Sequence, residues 1–332
     1  MRALMCLLRQ VVASRLTRIG ALAAGLALLV GVSPIIAQDE GSTCIPRPRL
    51  NASLCAQIAY GADSEVDQRQ LDLYRPEGNR STGVTVLMFE DPEADALDYD
   101  ELNQLFLVHG YAVVRVVQRA EASLPEQVAD LYCAVGWLRA QARTYDVQPR
   151  RIFALGRAAS ALPLGITALR GASGIEAAET LAAESIGDTV SSTCPYRTDA
   201  APLFTGVILF SPPAGPAAVP QLIQLPPDWT PTQEAQHDLG QLAAGVNMMG
   251  ADGEAIDVPP FLLVHGADDQ VIPLAQSSRI RSALEAGGYS VMLHTVRRGG
   301  HNPRTWSDRV YLDMLGVILQ FIESLAPDYD LI

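Results

Sequence analysis

The sequence contains no lysine, so all 24 of its basic residues are arginine, against 37 acidic residues. A Schiff-base lysine, a lysine general base and the lysine of a P-loop are therefore excluded. The formal net charge of −13 argues against nucleic acid or an anionic membrane surface as a partner, because phosphate binding requires a basic patch. With 48% hydrophobic and 18% charged residues, the composition is typical of a globular protein.

The first 37 residues have the pattern of an export signal. An uncharged apolar stretch, 19–37, follows a leader with four arginines and no acidic residue: Arg2, Arg9, Arg15 and Arg18. We expect cleavage after Ala37, which gives a mature chain 38–332 in the periplasm or outside the cell. The apolar stretch is also about long enough to cross a bilayer, so an uncleaved anchor is the alternative, and membrane attachment is expected only in that case.

The cysteines agree with export. Cys6 leaves with the predicted signal, and an even number remains in the mature chain: Cys44, Cys55, Cys133 and Cys194. Of the three possible pairings, we expect Cys44–Cys55 and Cys133–Cys194. No C-x-x-C pair is present, so zinc-ribbon and thioredoxin-like sites have no support, and we predict neither a metal nor a cofactor.

Strands alternate with helices along the mature chain. We predict strands at 70–74, 84–89, 112–117, 152–155, 205–210, 261–265 and 290–296. Helices are predicted at 124–145, from about 159, and at 233–244, 279–286 and 306–325. This order predicts one α/β domain, with a mostly parallel sheet covered by helices on both faces. The proline-rich segment 212–260 interrupts the alternation and is interpreted as a short cap insertion.

Four blocks of the sequence together resemble a known family. They are 60–61 with 70–76 (QLDLYRP); 110–114 with Arg119, Gln127, Asp130 and 137–139; 147–152; and 265–273 (HGADDQVIP) with 299–301 (GGH). In this order they are similar to the α/β-hydrolase superfamily, in particular to its secreted carboxylesterases and feruloyl esterases. The resemblance implies an α/β-hydrolase fold from about residue 59 onwards and a site for ester hydrolysis.

The resemblance also assigns site residues. Asp269 matches the acid of the catalytic triad, with Asp268 as the adjacent alternative, and His301 matches the general base. The nucleophile elbow G-x-S-x-G corresponds to 156–160, where Ala158 replaces the serine and Ala159 follows at the position that supplies an oxyanion-hole N–H. A methyl group cannot attack a carbonyl. Ser160 is a possible substitute, but we interpret it as a helix serine that bonds to the backbone.

The expected oxyanion loop is replaced by acidic residues. Where the family has a His-Gly-Gly-Gly-like segment after the strand 84–89, this chain reads EDPEAD at 90–95. Proline has no N–H to donate, and carboxylates repel an oxyanion. Asp91, Glu93 and Asp95 have the spacing of calcium ligands, but Ala96 and Leu102 stand where glycine and glutamate are needed, so we expect a solvated acidic loop.

Two functions remain open. The first is an exported α/β-hydrolase-fold protein, related to carboxylic-ester hydrolases but impaired or inactive, that binds a small or ester-like ligand or another protein. The alternative is an active esterase that uses Ser160, or a water activated by Asp269 and His301. A purely structural envelope protein is a third hypothesis, which predicts no pocket between Ala158 and His301.

Overall fold

The computed structural model describes most of the chain from residue 44 to residue 326. The described residues are 44–61, 69–78, 81–91, 97–119, 122–171, 174, 194–196, 203–219, 221–223, 225–226, 229–243 and 257–326. They belong to one compact unit, Ser42–Ile332. The predicted signal at 1–37 and residues 92–96 of the acidic loop lie outside the described residues.

The described strands form one sheet in the order β1-β2-β3-β5-β4-β6-β7-β8-β9. Their bounds are β1 Ile45–Arg47, β2 Ala52–Ala59, β3 Gln70–Pro76, β4 Val84–Glu90, β5 Ala112–Val117, β6 Arg151–Arg157, β7 Gly206–Phe210, β8 Phe261–Gly266 and β9 Val291–Val296. Strands β4 to β9 are parallel, and β1 to β3 are antiparallel. The mostly parallel sheet is confirmed; β1 and β2 were not predicted.

The described helices follow the strands as predicted, with two differences. Their bounds are α1 Leu97–Val108, α2 Leu124–Gln141, α3 Ala161–Arg170, α4 Pro231–Ala235, α5 Leu239–Ala243, α6 Ala275–Ala286 and α7 Asp308–Leu325. Helix α1 was not predicted. The single helix predicted at 233–244 is wrong, because Asp238 Oδ1 accepts a hydrogen bond from Gln241 N (2.9 Å) and so starts a new helix after a break.

Side chains of the sheet alternate between two hydrophobic clusters. On β4, Leu87 and Phe89 enter the cluster covered by α2, α3 and α6, whereas Val86 and Met88 enter the cluster covered by α1 and α7. All four side chains are fully buried, and each contributes roughly 1.5–3 kcal/mol of hydrophobic free energy. The helices therefore cover both faces of the sheet, as predicted.

Both predicted disulfides are present. Cys44–Cys55 joins the start of the described chain to β2, and Cys133–Cys194 joins α2 to the short described segment 194–196. Gly136, one turn further along α2, lies against the carbonyl of Tyr196 and leaves no room for a Cβ atom. The second disulfide thus fastens a segment that already packs closely on α2.

No helix among the described residues is long and apolar enough to cross a membrane.

Candidate active site

A sharp turn joins β6 to α3 at the position of the nucleophile elbow. Ala158, the first residue after β6, has a φ of +50°, a left-handed conformation that costs a non-glycine residue roughly 1–2 kcal/mol. A Cβ atom on Gly156 would lie 2.9 Å from the carbonyl oxygen of Ser160 and 3.1 Å from Cα of Ala161, so this position requires glycine. The strained elbow is therefore present, with a methyl group at its apex.

The hydroxyl of Ser160 is used inside the same turn. Its Oγ accepts a hydrogen bond from Arg157 N (3.0 Å) and donates one to Arg157 O (2.8 Å). The residue is completely buried. These contacts match the interpretation of Ser160 as a backbone-bonding serine, because attack on a ligand would require both bonds to break.

Asp269 and His301 form a hydrogen-bonded dyad. Nδ1 of His301 donates to Oδ2 of Asp269 at 2.8 Å. Because a carboxylate only accepts, Nδ1 carries a proton, and in the neutral ring Nε2, on the opposite edge, is an acceptor. The His301 side chain is 20% exposed, whereas that of Asp269 is fully buried. None of the residues that the structure describes hydrogen-bonds to Nε2.

Four donors hold the carboxylate of Asp269. Oδ1 accepts from the backbone N–H groups of Val271 and Ile272 at 2.9 Å each, and Oδ2 accepts from Ser211 and His301 at 2.8 Å each. Burial alone would raise the pKa of Asp269, but the hydrogen bonds from Ile272, His301 and Ser211 outweigh it and lower the pKa below its usual value. Asp269 therefore stays ionised, and the exposed Asp268 has no part in the dyad.

Two supporting residues were not recognised in the sequence as part of the site. Ser211, directly after β7, has a φ of +41° and donates to Asp269. His265, at the end of β8, is fully buried, with Nδ1 2.7 Å from Ser277 Oγ and Nε2 2.7 Å from Ile272 O. His265 thereby fixes the turn 269–272 that bonds to Asp269. The only sequence signal for Ser211 is its place at the end of a strand on the same sheet edge.

A buried ion pair occupies the end of β4, where the oxyanion loop would begin. Arg115 donates to both oxygens of Glu90, from Nε at 2.6 Å and from Nη2 at 2.7 Å. Burial raises the pKa of Glu90, and Arg115 opposes that rise.

The described part of the chain contains no cluster of three or more His, Cys, Asp or Glu side chains that could hold a metal ion.

A small cavity lies beside the ends of β6 and β7. Strand register pairs Arg157 with Phe210, the last residues of β6 and β7. The cavity, of about 20 Å³, is lined by Arg157, Phe210 and Asn302, together with Leu102, Leu155, Pro303, Arg304, Tyr311 and Met314. Arg157, just before the elbow apex, and Asn302, just after His301, both border this cavity, whereas Ala158 and His301 are not among its lining residues.

The sheet order, with an elbow after β6, an acid after β8 and a histidine after β9, decides the structural class. The protein has the α/β-hydrolase fold. Residues 71–186 of this α/β-hydrolase-fold protein match the BD-FAE family. No curated protein matches its sequence significantly.

Solved esterases share the fold of this α/β-hydrolase-fold protein at low identity. A truncated carbohydrate esterase from gut microbiota is 17% identical with a TM-score of 0.61, covering 85% of this chain and 99% of that one. Esterase 2 of Thermogutta terrifontis, phosphorylated by paraoxon, is 16% identical with a TM-score of 0.56, covering 83% and 94%. Esterase B of Lactobacillus rhamnosis is 17% identical with a TM-score of 0.54, covering 83% and 87%.

Proposed function

We propose that this esterase-like α/β-hydrolase-fold protein is catalytically impaired and binds a small ligand at the Asp269–His301 dyad. The observation that carries the proposal is Ala158, a methyl group at the apex of a strained elbow. Loss of the nucleophile alone lowers kcat by about six orders of magnitude in a well-studied serine hydrolase. The buried Glu90–Arg115 pair supports a second defect, because it replaces the start of a hydrogen-bond-donating loop.

Export is part of the proposal. Two disulfides are typical of proteins that fold in an oxidising compartment, which supports the periplasm or the extracellular space. The N-terminal pattern at 1–37 supports the same location. Amino-terminal sequencing of the protein recovered from its host tests the expected cut after Ala37.

An active esterase is the second candidate, and one observation favours it. The dyad is intact: Asp269 is ionised, and Nε2 of His301 is free to accept a proton from a water. The contacts of Ser160 argue against its use as the nucleophile, so water is the stronger form of this alternative.

Covalent labelling separates the two candidates. Paraoxon, which phosphorylates Thermogutta terrifontis esterase 2, transfers a diethylphosphoryl group to an activated serine. We expect peptide mass spectrometry to find no adduct on the wild-type protein and an adduct at position 158 in Ala158→Ser. The double variant Ala158→Ser/His301→Ala is the matched control and should stay unlabelled, because the serine then has no base.

Hydrolysis of a short aryl ester completes the test, because a water-based mechanism leaves no adduct. We expect the wild-type rate to equal that of His301→Ala. A wild-type rate that depends on His301, or an adduct at Ser160, would contradict the proposal and establish catalysis with a non-standard nucleophile.

A further inference from the structure

A cleft of about 730 Å³ lies between helices α1 and α7. This volume is within the range of small-molecule binding sites. Val108 of α1 and Leu312 of α7 line the cleft, and each is 63% exposed. Leu105 and Leu315 line it with them. Apolar side chains that gather in a concave surface, unlike single exposed ones, mark a place where a ligand binds.

The charged residues of this cleft are two carboxylates and one guanidinium. Glu101 lies on α1 and Asp308 at the start of α7, and neither side chain forms a hydrogen bond or ion pair with another residue that the structure describes. Arg304 lines the cleft as well, and it also borders the small cavity beside Arg157. Two negative charges and one positive charge give the lining a formal charge of −1, in a chain whose net charge is −13. Both charges favour a cation over an anion in the cleft.

Trp306 connects the cleft to the loop that carries the histidine. Its Nε1 donates to the carbonyl oxygen of Gly300 at 3.0 Å. Its ring lies against Gly299, where a Cβ atom would be 3.1 Å from Trp306 Cε2. Because Trp306 also lines the cleft, its indole N–H signal reports on a ligand bound there, and its ring can attract a cation.

We propose that the cleft between α1 and α7 binds an amphiphilic cation, an alkylammonium whose chain packs on the apolar side chains. The ammonium group is attracted by the carboxylates of Glu101 and Asp308 and by the ring of Trp306. Neither Asp269 nor His301 lines this cleft, so the inference does not depend on the proposed function.

Hexyltrimethylammonium is the probe, and hexanesulfonate, which has the same alkyl chain and the opposite charge, is its matched control. We expect the cation to shift the indole N–H signal of Trp306 in the ¹⁵N NMR spectrum, where Trp306→Phe assigns that signal. At low salt the cation should bind about fivefold more tightly than the anion, the ratio that exposed charge pairs reach, and added salt should reduce the preference. Equal affinity, tighter binding of hexanesulfonate, or no shift up to the micelle-forming concentration of the cation would overturn the inference.

Substitutions that remove charge but keep shape locate the site. Glu101→Gln and Asp308→Asn should each weaken binding of the cation about two- to threefold, and the double variant should lose the preference over hexanesulfonate. Leu312→Ala should weaken both probes alike, because it removes apolar contact and no charge. Asp313→Asn is the matched control: Asp313 is exposed on the same helix but does not line the cleft, so the affinity should stay unchanged. A preference that survives in the double variant, or that is lost equally in Asp313→Asn, would refute the inference.

Discussion

Protonation of His237 should make this protein lose stability in acid. The imidazole is 1% exposed and lies against Trp229, with ring centroids 4.4 Å apart. Nδ1 is 2.8 Å from Gln233 O and Nε2 is 3.1 Å from Arg170 Nη2, so the neutral ring donates to the carbonyl and accepts from the guanidinium. Burial and the charge of Arg170 together lower the pKa of His237 to about 4.

The size of the effect follows from the change in pKa. Unfolding returns His237 from about 4 to the ordinary value of 6.5, and each unit corresponds to about 1.4 kcal/mol. The unfolded chain therefore takes up a proton as the pH falls below 6.5, while the folded chain stays neutral until about pH 4. The contribution is complete above pH 6.5, and on the order of 3 kcal/mol is lost by pH 4.

Urea denaturation of the wild type and of His237→Gln, from pH 7.5 to pH 4, measures this contribution. Carboxylates also titrate in this range, so the quantity of interest is the difference in unfolding free energy between the two proteins. We expect the difference to fall by about 3 kcal/mol over the range, because glutamine keeps a polar side chain but does not titrate. A difference that is constant with pH, or an NMR titration of His237 near pH 6.5, would refute the reasoning.

Three further substitutions test the contacts around the site. Ser160→Ala should lower the unfolding free energy by about 1 kcal/mol, because the N–H and carbonyl of Arg157 lose their hydrogen bonds to the Ser160 hydroxyl, and urea denaturation measures this loss; a stability equal to the wild type would contradict it. Ser211→Ala should raise the pKa of Asp269, followed by carbonyl ¹³C NMR, since one of four donors is removed; an unchanged pKa would contradict it. Arg115→Met should cost about 3–5 kcal/mol in urea denaturation because it leaves Glu90 buried and unpaired, and a loss below about 1 kcal/mol, the scale of an exposed pair, would contradict it.

The fold was predictable wherever the local pattern and the long-range structure agree. Strand β5 has its predicted bounds, 112–117, because the β-branched run is buried on both faces and a glycine turn precedes it. The helix after Ser123 begins as predicted at Leu124, where the Glu126 carboxylate accepts from Ser123 N at 2.7 Å. The predicted helix at 233–244 is divided because a side-chain cap at Asp238 overrides helical periodicity, and periodicity cannot report such a cap.

Among the site residues, only those that stand in recognisable sequence motifs could be predicted. Asp269 and His301 stand in motifs with fixed neighbours, whereas the partners that complete the dyad come from other strands. Ser211 reaches Asp269 across 58 positions and Arg115 reaches Glu90 across 25, so no local pattern connects either pair. The acidic segment 90–95 indicated repulsion of an oxyanion, but not that Glu90, its first residue and the last of β4, would be buried in a bidentate pair.

The retained strain at Ala158 indicates what fixes the elbow. Strained backbone is usually explained by function, yet an alanine gains no chemistry from a φ of +50°. The packing around it offers a sufficient cause: Gly156 lies against the backbone of Ser160 and Ala161, and the Ser160 hydroxyl bonds to both backbone groups of Arg157. Because β6 is central in the sheet and α3 is buried, the turn between them has little freedom to relax. The elbow therefore belongs to the architecture, so a single substitution can remove the nucleophile without disturbing the groups that surrounded it.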